Sequence, residues 1–399
     1  MKYKYPLQTD SFNIWDRLKV CAFLLNRKNK LTLGPKTEEL EKKWCKFAWG
    51  VDAIATSSGS TANILLVESF LQTYNYKPQD VVVFIPATTW ASSVSCWTMR
   101  GCQVVFVDIN LEDFSFNYRS LTNSVAQIHK KNPNKIKVIW PTALIGNIPN
   151  VDKLKEIAAK YNSYLFADLC ETSLGYYNGE NILSCFDMAT TSFFWAHEIN
   201  SIECGMLFTK IGSDRFEEKI NNAEMIRSHG LSRVLHNIDE KQRLEKENPF
   251  IDPEFLFIKE GTNLRPTDLN ATFGLLDSER IYKYCLHRRK IWRYFVKNLP
   301  EKFLPLNPDI IPFSLPLIFK DINTEDFPLI KLKQRLKEVG FESRPIISFV
   351  ANSPAYKHLA KGKTFPNSRF LSLTGCYVGL NNNLRIKDVD KLLNILNNV

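Results

Sequence analysis

The chain has 399 residues, 44% hydrophobic and 24% charged, with a formal charge of +10. That is enough apolar material for a sizeable core and enough length for a large and a small domain, and it excludes a disordered chain. The basic residues are interleaved with acids, as in EKKW and EEK, which describes a solvated surface suited at most to small anions, so neither nucleic acid nor a membrane is an expected partner.

The N-terminal MKYKYPLQTDSF carries no apolar signal core. Residues 1–30 read as an N-terminal segment whose helix, over 13–30, lines up Ile14, Leu18, Ala22 and Leu25 on one face. A second helix is expected over 36–48. A strand over 53–56 then leads into SSGSTAN, which opens a helix. Short apolar runs at 81–85, 103–107, 136–140 and 164–167 are of the buried-strand type, with a helix over 151–160 between the last two. The stretch 81–99 lacks charges, but Pro86 and its many hydroxyl residues make it strand, turn and helix start rather than a membrane span. Further strands are expected at 188–194 and 205–209, and helices over 213–229 and 266–299. Strand 311–318 and helices 330–339 and 388–396 complete the pattern. The alternation predicts an α/β sheet covered on both faces. We place the large α/β domain at 31–265 and a smaller α+β C-terminal domain at 266–399. The nine cysteines include no CxxC pair and no metal-ligand spacing, so reduced thiols, a cytoplasmic location and no metal site are expected.

Four segments carry candidate chemistry. In Ser57-Ser58-Gly59-Ser60-Thr61-Ala62-Asn63 a strand passes through small residues into a helix, where backbone N–H groups can receive an anion. A helix cap without a ligand uses the same residues. Trp90 follows an apolar strand, where α/β proteins bind ligands, and suits stacking on a planar ring or plain packing. Asp168 ends a buried strand and needs a cation or hydrogen-bond donors; a protonated pyridine nitrogen or a helix cap would serve. His197 lies in SFFWAHEINSIECGM, and a single histidine alone is as easily structural.

In order, LTLGPKTEELEKKW, SSGSTAN, IPATTW, VFVDIN, LIGNIPNVDKLKEIAAKY, ADLCETSLG, SFFWAHEINSIECGM, IRSHG, GTNLRPTDLNATFG and ESRPI resemble the DegT/DnrJ/EryC1/StrS family of sugar aminotransferases over nearly the whole chain. The resemblance implies the type I fold of pyridoxal phosphate (PLP) enzymes. It implies that Gly59, Ser60, Thr61 and Ser192 cradle the cofactor phosphate and that Trp90 stacks on the pyridine ring. Asp168 would pair with the ring nitrogen and Glu171 would lie near the ring hydroxyl. Asn263 would reach the phosphate in the neighbouring subunit's site, making a homodimer with shared active sites. Arg227, His229, Arg265 and Arg344 are the candidates for the substrate's charged groups.

The departure from the family is His197, which stands where its aminotransferases carry the lysine that forms an imine with PLP. Imidazole cannot form that bond, and no lysine lies between Lys160 and Lys210. A histidine there resembles the branch of keto-deoxysugar 3-dehydratases, most closely the GDP-4-keto-6-deoxymannose 3-dehydratases. RSHGLSRVLHNIDEK lacks the cysteines of the iron–sulfur relatives that act on CDP-sugars. The resemblance thus implies pyridoxamine phosphate (PMP) as working cofactor, glutamate as amino donor, a nucleotide-linked 4-keto sugar as substrate and His197 as catalytic base. Alternatives are an ordinary sugar aminotransferase, which the missing lysine opposes, and a non-catalytic relative. Cys204 in place of a glycine, Glu198 in place of a second histidine, and unusual residues at Ser348-Phe349-Val350 and Leu380-Asn381-Asn382 are further departures.

Overall fold

The computed structural model describes residues 3–322 and 328–399. The large domain is built on a seven-stranded sheet. In chain order its strands are β1 (Val51–Thr56), β2 (Val81–Pro86), β3 (Gln103–Val107), β4 (Ile136–Ile139) and β5 (Ser163–Asp168). A two-strand hairpin follows, β6 (Tyr176–Tyr177) and β7 (Glu180–Asn181), and then β8 (Met188–Ser192) and β9 (Gly205–Lys210) complete the sheet. The spatial order is β1-β9-β8-β5-β4-β2-β3. β9 is antiparallel to both neighbours and the other pairs are parallel. The carboxyl ends of β1, β2, β4, β5 and β8 therefore meet along one edge, the edge at which open α/β sheets bind ligands.

Alternation within the strands explains why this sheet is buried on both faces. Val82 and Phe84 of β2 join Ala53, Ile139 and Ala167 in one core, while Val81, Val83 and Ile85 join Ile54, Val138 and Phe166 in the other. Burying a side chain such as Phe84 contributes roughly 1.5–3 kcal/mol, and every residue of β2 is buried.

The smaller domain has the sheet β10 (Ser314–Ile318), β11 (Ser343–Pro345) and β12 (Gly375–Gly379), ordered β10-β12-β11 and antiparallel. Helices Ile281–Asn298, Pro328–Val339 and Ile386–Asn397 supply Phe295, Leu336 and Leu392 to its core beside Leu315 and Leu317. The helix Ile281–Asn298 spans both domains: Ile281 and Tyr284 belong to the large core, Ile291, Trp292 and Phe295 to the small one.

Three elements differ from the sequence reading. The stretch 266–299 is two helices, Asp268–Ser278 and Ile281–Asn298. The first packs Ala271 and Leu275 into the large core, and Asp268 accepts from the backbone N–H groups of Gly34, Lys36 and Thr37 to cap helix Pro35–Ala48. The large domain therefore continues past residue 265, because the turn residues of GTNLRPT interrupt the helix pattern without interrupting the packing. The opening helix runs over Ile14–Leu25, but the face bearing Ile14, Leu18, Ala22 and Leu25 is exposed, and Val20 and Phe23 are buried instead. Strand 311–318 shortens to β10 because residues 311–313 are pinned elsewhere: Phe313 N–H donates to the Ile145 carbonyl, and the Ile311 carbonyl lies where a Cβ on Gly146 would stand, at 2.2 Å.

Candidate active site

Residues from the ends of β1, β2, β4, β5 and β8 line a cavity of about 360 Å³, with Phe313, Ile347 and Tyr377 of the smaller domain as its roof. At the end of β1 the chain enters helix Gly59–Tyr74 through a capping box. Ser58 accepts from Thr61 N–H, and Ser58 N–H donates to the Thr61 hydroxyl at 2.8 Å. Gly59 and Ser60 line the cavity at this helix N-terminus. A Cβ on Gly59 would stand 2.7 Å from Ser192 Cβ and 3.0 Å from Cys170 Sγ, so only glycine lets the backbone approach β8 this closely. The Ser192 hydroxyl, at the end of β8, accepts from Phe194 N–H and keeps its own proton to donate. Free N–H groups, a hydroxyl donor and the positive end of a helix fit a phosphate. Thr61 differs from its expected role: its hydroxyl is committed to the Ser58 cap and does not line the cavity.

Asp168 terminates β5 and is buried. Its Oδ2 accepts from Asn63 Nδ2 at 2.9 Å and Ser93 Oγ at 2.6 Å, and its Oδ1 from Cys170 N–H at 3.2 Å. The Asn63 carbonyl in turn accepts from Thr190 Oγ1. The carboxylate is thus fixed, with an Oδ1 lone pair left for a protonated ring nitrogen. Asn63, Ser93 and Thr190 were not singled out in the sequence; only Asn63, within SSGSTAN, was close to a recognised motif. Trp90 lines the rim with most of its surface open, as a stacking platform would be.

His197 lines the same cavity as Gly59, Ser60 and Ser192. Its Nδ1 bonds to the Cys170 carbonyl, which can only accept, so Nδ1 carries the proton and Nε2 keeps its lone pair for the cavity. The rings of Phe194 and Phe313 flank the imidazole at centroid distances of 6.0 and 5.4 Å. Burial pushes the imidazole below its ordinary value, against the Cys170 bond and the Asp168 charge that favour protonation. Glu171 also lines the cavity and accepts from Ile145 N–H at 2.9 Å; burial raises its carboxyl to about 7. A neutral base and a carboxyl that titrates near neutrality share one site.

The departures find structural places. Cys204 is buried in the large core, whereas Gly205 is indispensable: a Cβ there would lie 2.2 Å from the Ser58 carbonyl and push the start of helix Gly59–Tyr74 away from β9. Glu198 points away from the cavity into the interior, accepting from Ser173 Oγ and Leu174 N–H. The Ser348 carbonyl accepts from Thr89 N–H, and Asn381 holds the N-terminal segment through the Pro6 carbonyl.

The four candidates for substrate charge and Asn263 lie outside this cavity. Arg227 must be corrected. It is buried against Glu41 at 2.6 Å and donates to the Ala55 carbonyl, tying helix Pro35–Ala48 to β1, so it has no freedom to meet substrate. His229 is exposed with a left-handed backbone, and the exposed Asn263 carbonyl accepts from Arg265 Nε. Arg344 is exposed, 3.1 Å from Glu342, and stands opposite the roof residue Tyr377 in the β11–β12 register.

Residues 18–397 match the DegT/DnrJ/EryC1/StrS aminotransferase family. The chain belongs to this family. Among curated relatives it is 26% identical to a GDP-4-keto-6-deoxy-D-mannose 3-dehydratase of Escherichia coli, over 98% of this chain and 99% of that one. It is 25% identical to a GDP-perosamine synthase of Caulobacter vibrioides, over 82% and 81%. The solved E. coli GDP-4-keto-6-deoxy-D-mannose-3-dehydratase with bound hydrated PLP superposes with a TM-score of 0.84 at 22% identity, covering 99% of both chains. The fold is therefore that of PLP-dependent aminotransferases, as the motif order implied. Among the described residues no helix is long and apolar enough to cross a membrane.

Proposed function

We propose that this enzyme is a PMP-dependent 3-dehydratase, a lyase that removes the 3-hydroxyl of a nucleotide-linked 4-keto-6-deoxyhexose, GDP-linked in preference to other nucleotides. The observation that carries the reading is His197: an imidazole with a free Nε2 occupies the place of the family's lysine, within a cavity that otherwise suits PLP.

Gly59, Ser60 and Ser192 hold the cofactor phosphate, Trp90 covers one face of the ring, and Asp168 keeps the ring nitrogen protonated. When bound, PMP supplies an amine that condenses with the C4 ketone of the sugar and an electron sink. His197 Nε2 takes the proton that must leave for elimination and returns one to the departing 3-hydroxyl, with its Nδ1 proton anchored on Cys170 throughout. Phe194, Phe313 and Tyr377 make the wall around that transfer apolar and aromatic. Glutamate is the amino donor that regenerates PMP, and ammonia leaves with the 3-deoxy-4-keto sugar. His229, Arg265 and Arg344 remain as candidates for the substrate's phosphate and sugar groups.

The working unit is a homodimer in the cytoplasm, where its unpaired thiols stay reduced. Asn263 faces solvent rather than its own cavity, which suits service to a neighbouring site. The exposed Ile14, Trp15, Leu18 and Leu25 offer an apolar face for the contact.

The experiment is to mix the protein with PLP, glutamate and a panel of nucleotide 4-keto sugars. A product lighter by one oxygen, roughly 16 mass units, with ammonia released, supports the reading. A persistent amino sugar with its 3-oxygen intact would assign aminotransfer instead, the activity named for the perosamine synthase relative. Borohydride should leave PLP unattached to the chain; a cofactor-linked lysine peptide would overturn the assignment of His197.

A further inference from the structure

Arg288 lies on the helix that crosses between the domains, and its side chain is buried. One nitrogen, Nη1, donates to two successive carbonyls, Pro312 at 3.0 Å and Phe313 at 2.9 Å. These belong to the segment that carries the Phe313 ring to within 5.4 Å of the His197 imidazole. Glu198, next in the chain after His197, is also buried. Glu198 Oε1 and Arg288 Nε are both buried without a hydrogen-bond partner among the described residues. The two opposite charges are each incompletely satisfied and lie close enough to influence one another, each favouring the other's charged form.

A buried guanidinium is costly, and a domain tether could be made of apolar residues at lower cost. Its location explains why a charge is kept. The titratable and charged groups around the imidazole are Asp168, Cys170 and Glu171 after β5, Glu203 before β9, Tyr377 on β12, and Arg288. In this set Arg288 is the cation. It opposes protonation of His197, while Asp168 favours it. We propose that Arg288 is a positioning residue for His197: by gripping the Pro312 and Phe313 carbonyls it holds the Phe313 ring edge-on against the imidazole, with Glu198 as the counter-charge that keeps the guanidinium in place. This deepens the dehydratase reading, in which His197 moves the proton. It also explains Glu198: a carboxylate there supports the clamp, which a neutral histidine would not.

The test uses the PLP-bound protein with 13C-labelled histidine and no sugar, so its outcome does not depend on which substrate is turned over. The His197 signal is assigned by its loss in His197→Asn. In Arg288→Met the His197 signal should lose part of the ring-current shift from Phe313, and its midpoint should rise. In Arg288→Lys, which keeps the charge without the two-carbonyl grip, the midpoint should stay near the parent's while the signal loses part of the ring-current shift from Phe313. Phe313→Leu should remove that shift with the Arg288 side chain intact. In the turnover assay, both Arg288 variants should lower kcat with KM within about twofold, since Arg288 does not line the cavity. A folded, PLP-bound Arg288→Met whose His197 signal keeps the full ring-current shift from Phe313 would overturn the proposal. If that variant does not fold, an unmoved His197 shift in Phe313→Leu does the same. Loss of that shift in Arg288→Met, in a protein that turns over no keto-sugar, would keep the clamp and discard the dehydratase reading.

Discussion

On the floor of the cavity Asp168 has three hydrogen-bond donors within 3.2 Å and is shielded from water, whereas Arg344, beyond the roof, has one carboxylate and open solvent. The same contrast runs through the site. Gly59, Ser192 and Asp168 stand on strand ends and a helix start whose backbone is fixed by the seven-stranded sheet. The roof residue Tyr377 comes from the three-stranded sheet and Ile347 from the loop after β11, in the smaller domain that meets the floor through one long helix, the 311–313 segment and contacts such as Thr89 N–H to the Ser348 carbonyl. A fixed floor suits the cofactor, which is the same in every turnover, and an open roof suits selection of the sugar and nucleotide. Substrate identity is therefore expected to depend on weak, exposed contacts, and chemistry on strong, buried ones.

The largest effect should fall on the base itself. His197→Asn keeps a polar side chain of similar reach but no titratable nitrogen. Turnover should drop by roughly 10²–10⁴-fold with PLP affinity unchanged. Activity of the parent should rise with pH through a midpoint below the usual imidazole range, because burial favours the neutral base, and this limb should vanish in the variant. Turnover within a few-fold of the parent would show that the proton moves elsewhere, with Glu171 the next candidate.

A smaller loss is expected one shell further from the reaction. Asn63→Ala removes one donor from Asp168 and leaves the carboxylate to Ser93 and the Cys170 N–H. Losing a hydrogen bond to a buried charge costs about 1–3 kcal/mol, or about five- to hundredfold in cofactor affinity. A titration of PLP by absorbance reads it directly. Unchanged affinity would mean that the floor is not held as tightly as its bonds indicate.

The floor was largely legible in the sequence because each part carries a local signature. A strand followed by small residues and a helix start marks the proposed cradle, and a carboxylate closing an apolar strand marks the proposed ring partner. The roles of Asn63, within SSGSTAN, and of Ser93 and Thr190 carry no such signature: they gather around Asp168 across sequence separations of 105, 75 and 22, Thr190 through Asn63. Arg227 shows the reverse failure. Beside IRSHG it reads as an anion ligand, and only packing reveals Glu41 next to it. The period of the opening helix was correct, but periodicity cannot say whether an apolar stripe meets its own core or another chain.

Glu171 gives a pH test of the same floor in the absence of substrate. Its carboxyl is raised to about 7 by burial, so the folded state holds this proton more tightly than the unfolded chain does. Its stabilising contribution is fully present below the ordinary glutamate range and is lost as pH rises through about 7. The stability of the parent relative to Glu171→Gln should therefore fall by about 1–3 kcal/mol between pH 4 and pH 8. Paired denaturant curves of the cofactor-free proteins measure it, and a difference flat with pH would show that water reaches this carboxyl.

The smallest effect is expected at the roof. Arg344 stands opposite Tyr377 across β11 and β12, and directly opposed residues in an antiparallel pair present their side chains to the same face. Its guanidinium therefore lies on the face that Tyr377 turns to the cavity, one strand further out, within range of a substrate group that extends past the sugar. The diphosphate is the group with that charge and reach. Because Arg344 is exposed and already shared with Glu342, removing it should cost only about 0.5–1 kcal/mol. In Arg344→Ala the KM for a GDP-linked keto-sugar should rise roughly two- to fivefold with kcat unchanged, and the difference should shrink as salt is added. A matching loss in kcat would place Arg344 in the transition state rather than in binding. An effect as large as that of Asn63→Ala would erase the distinction between a fixed floor and an open roof.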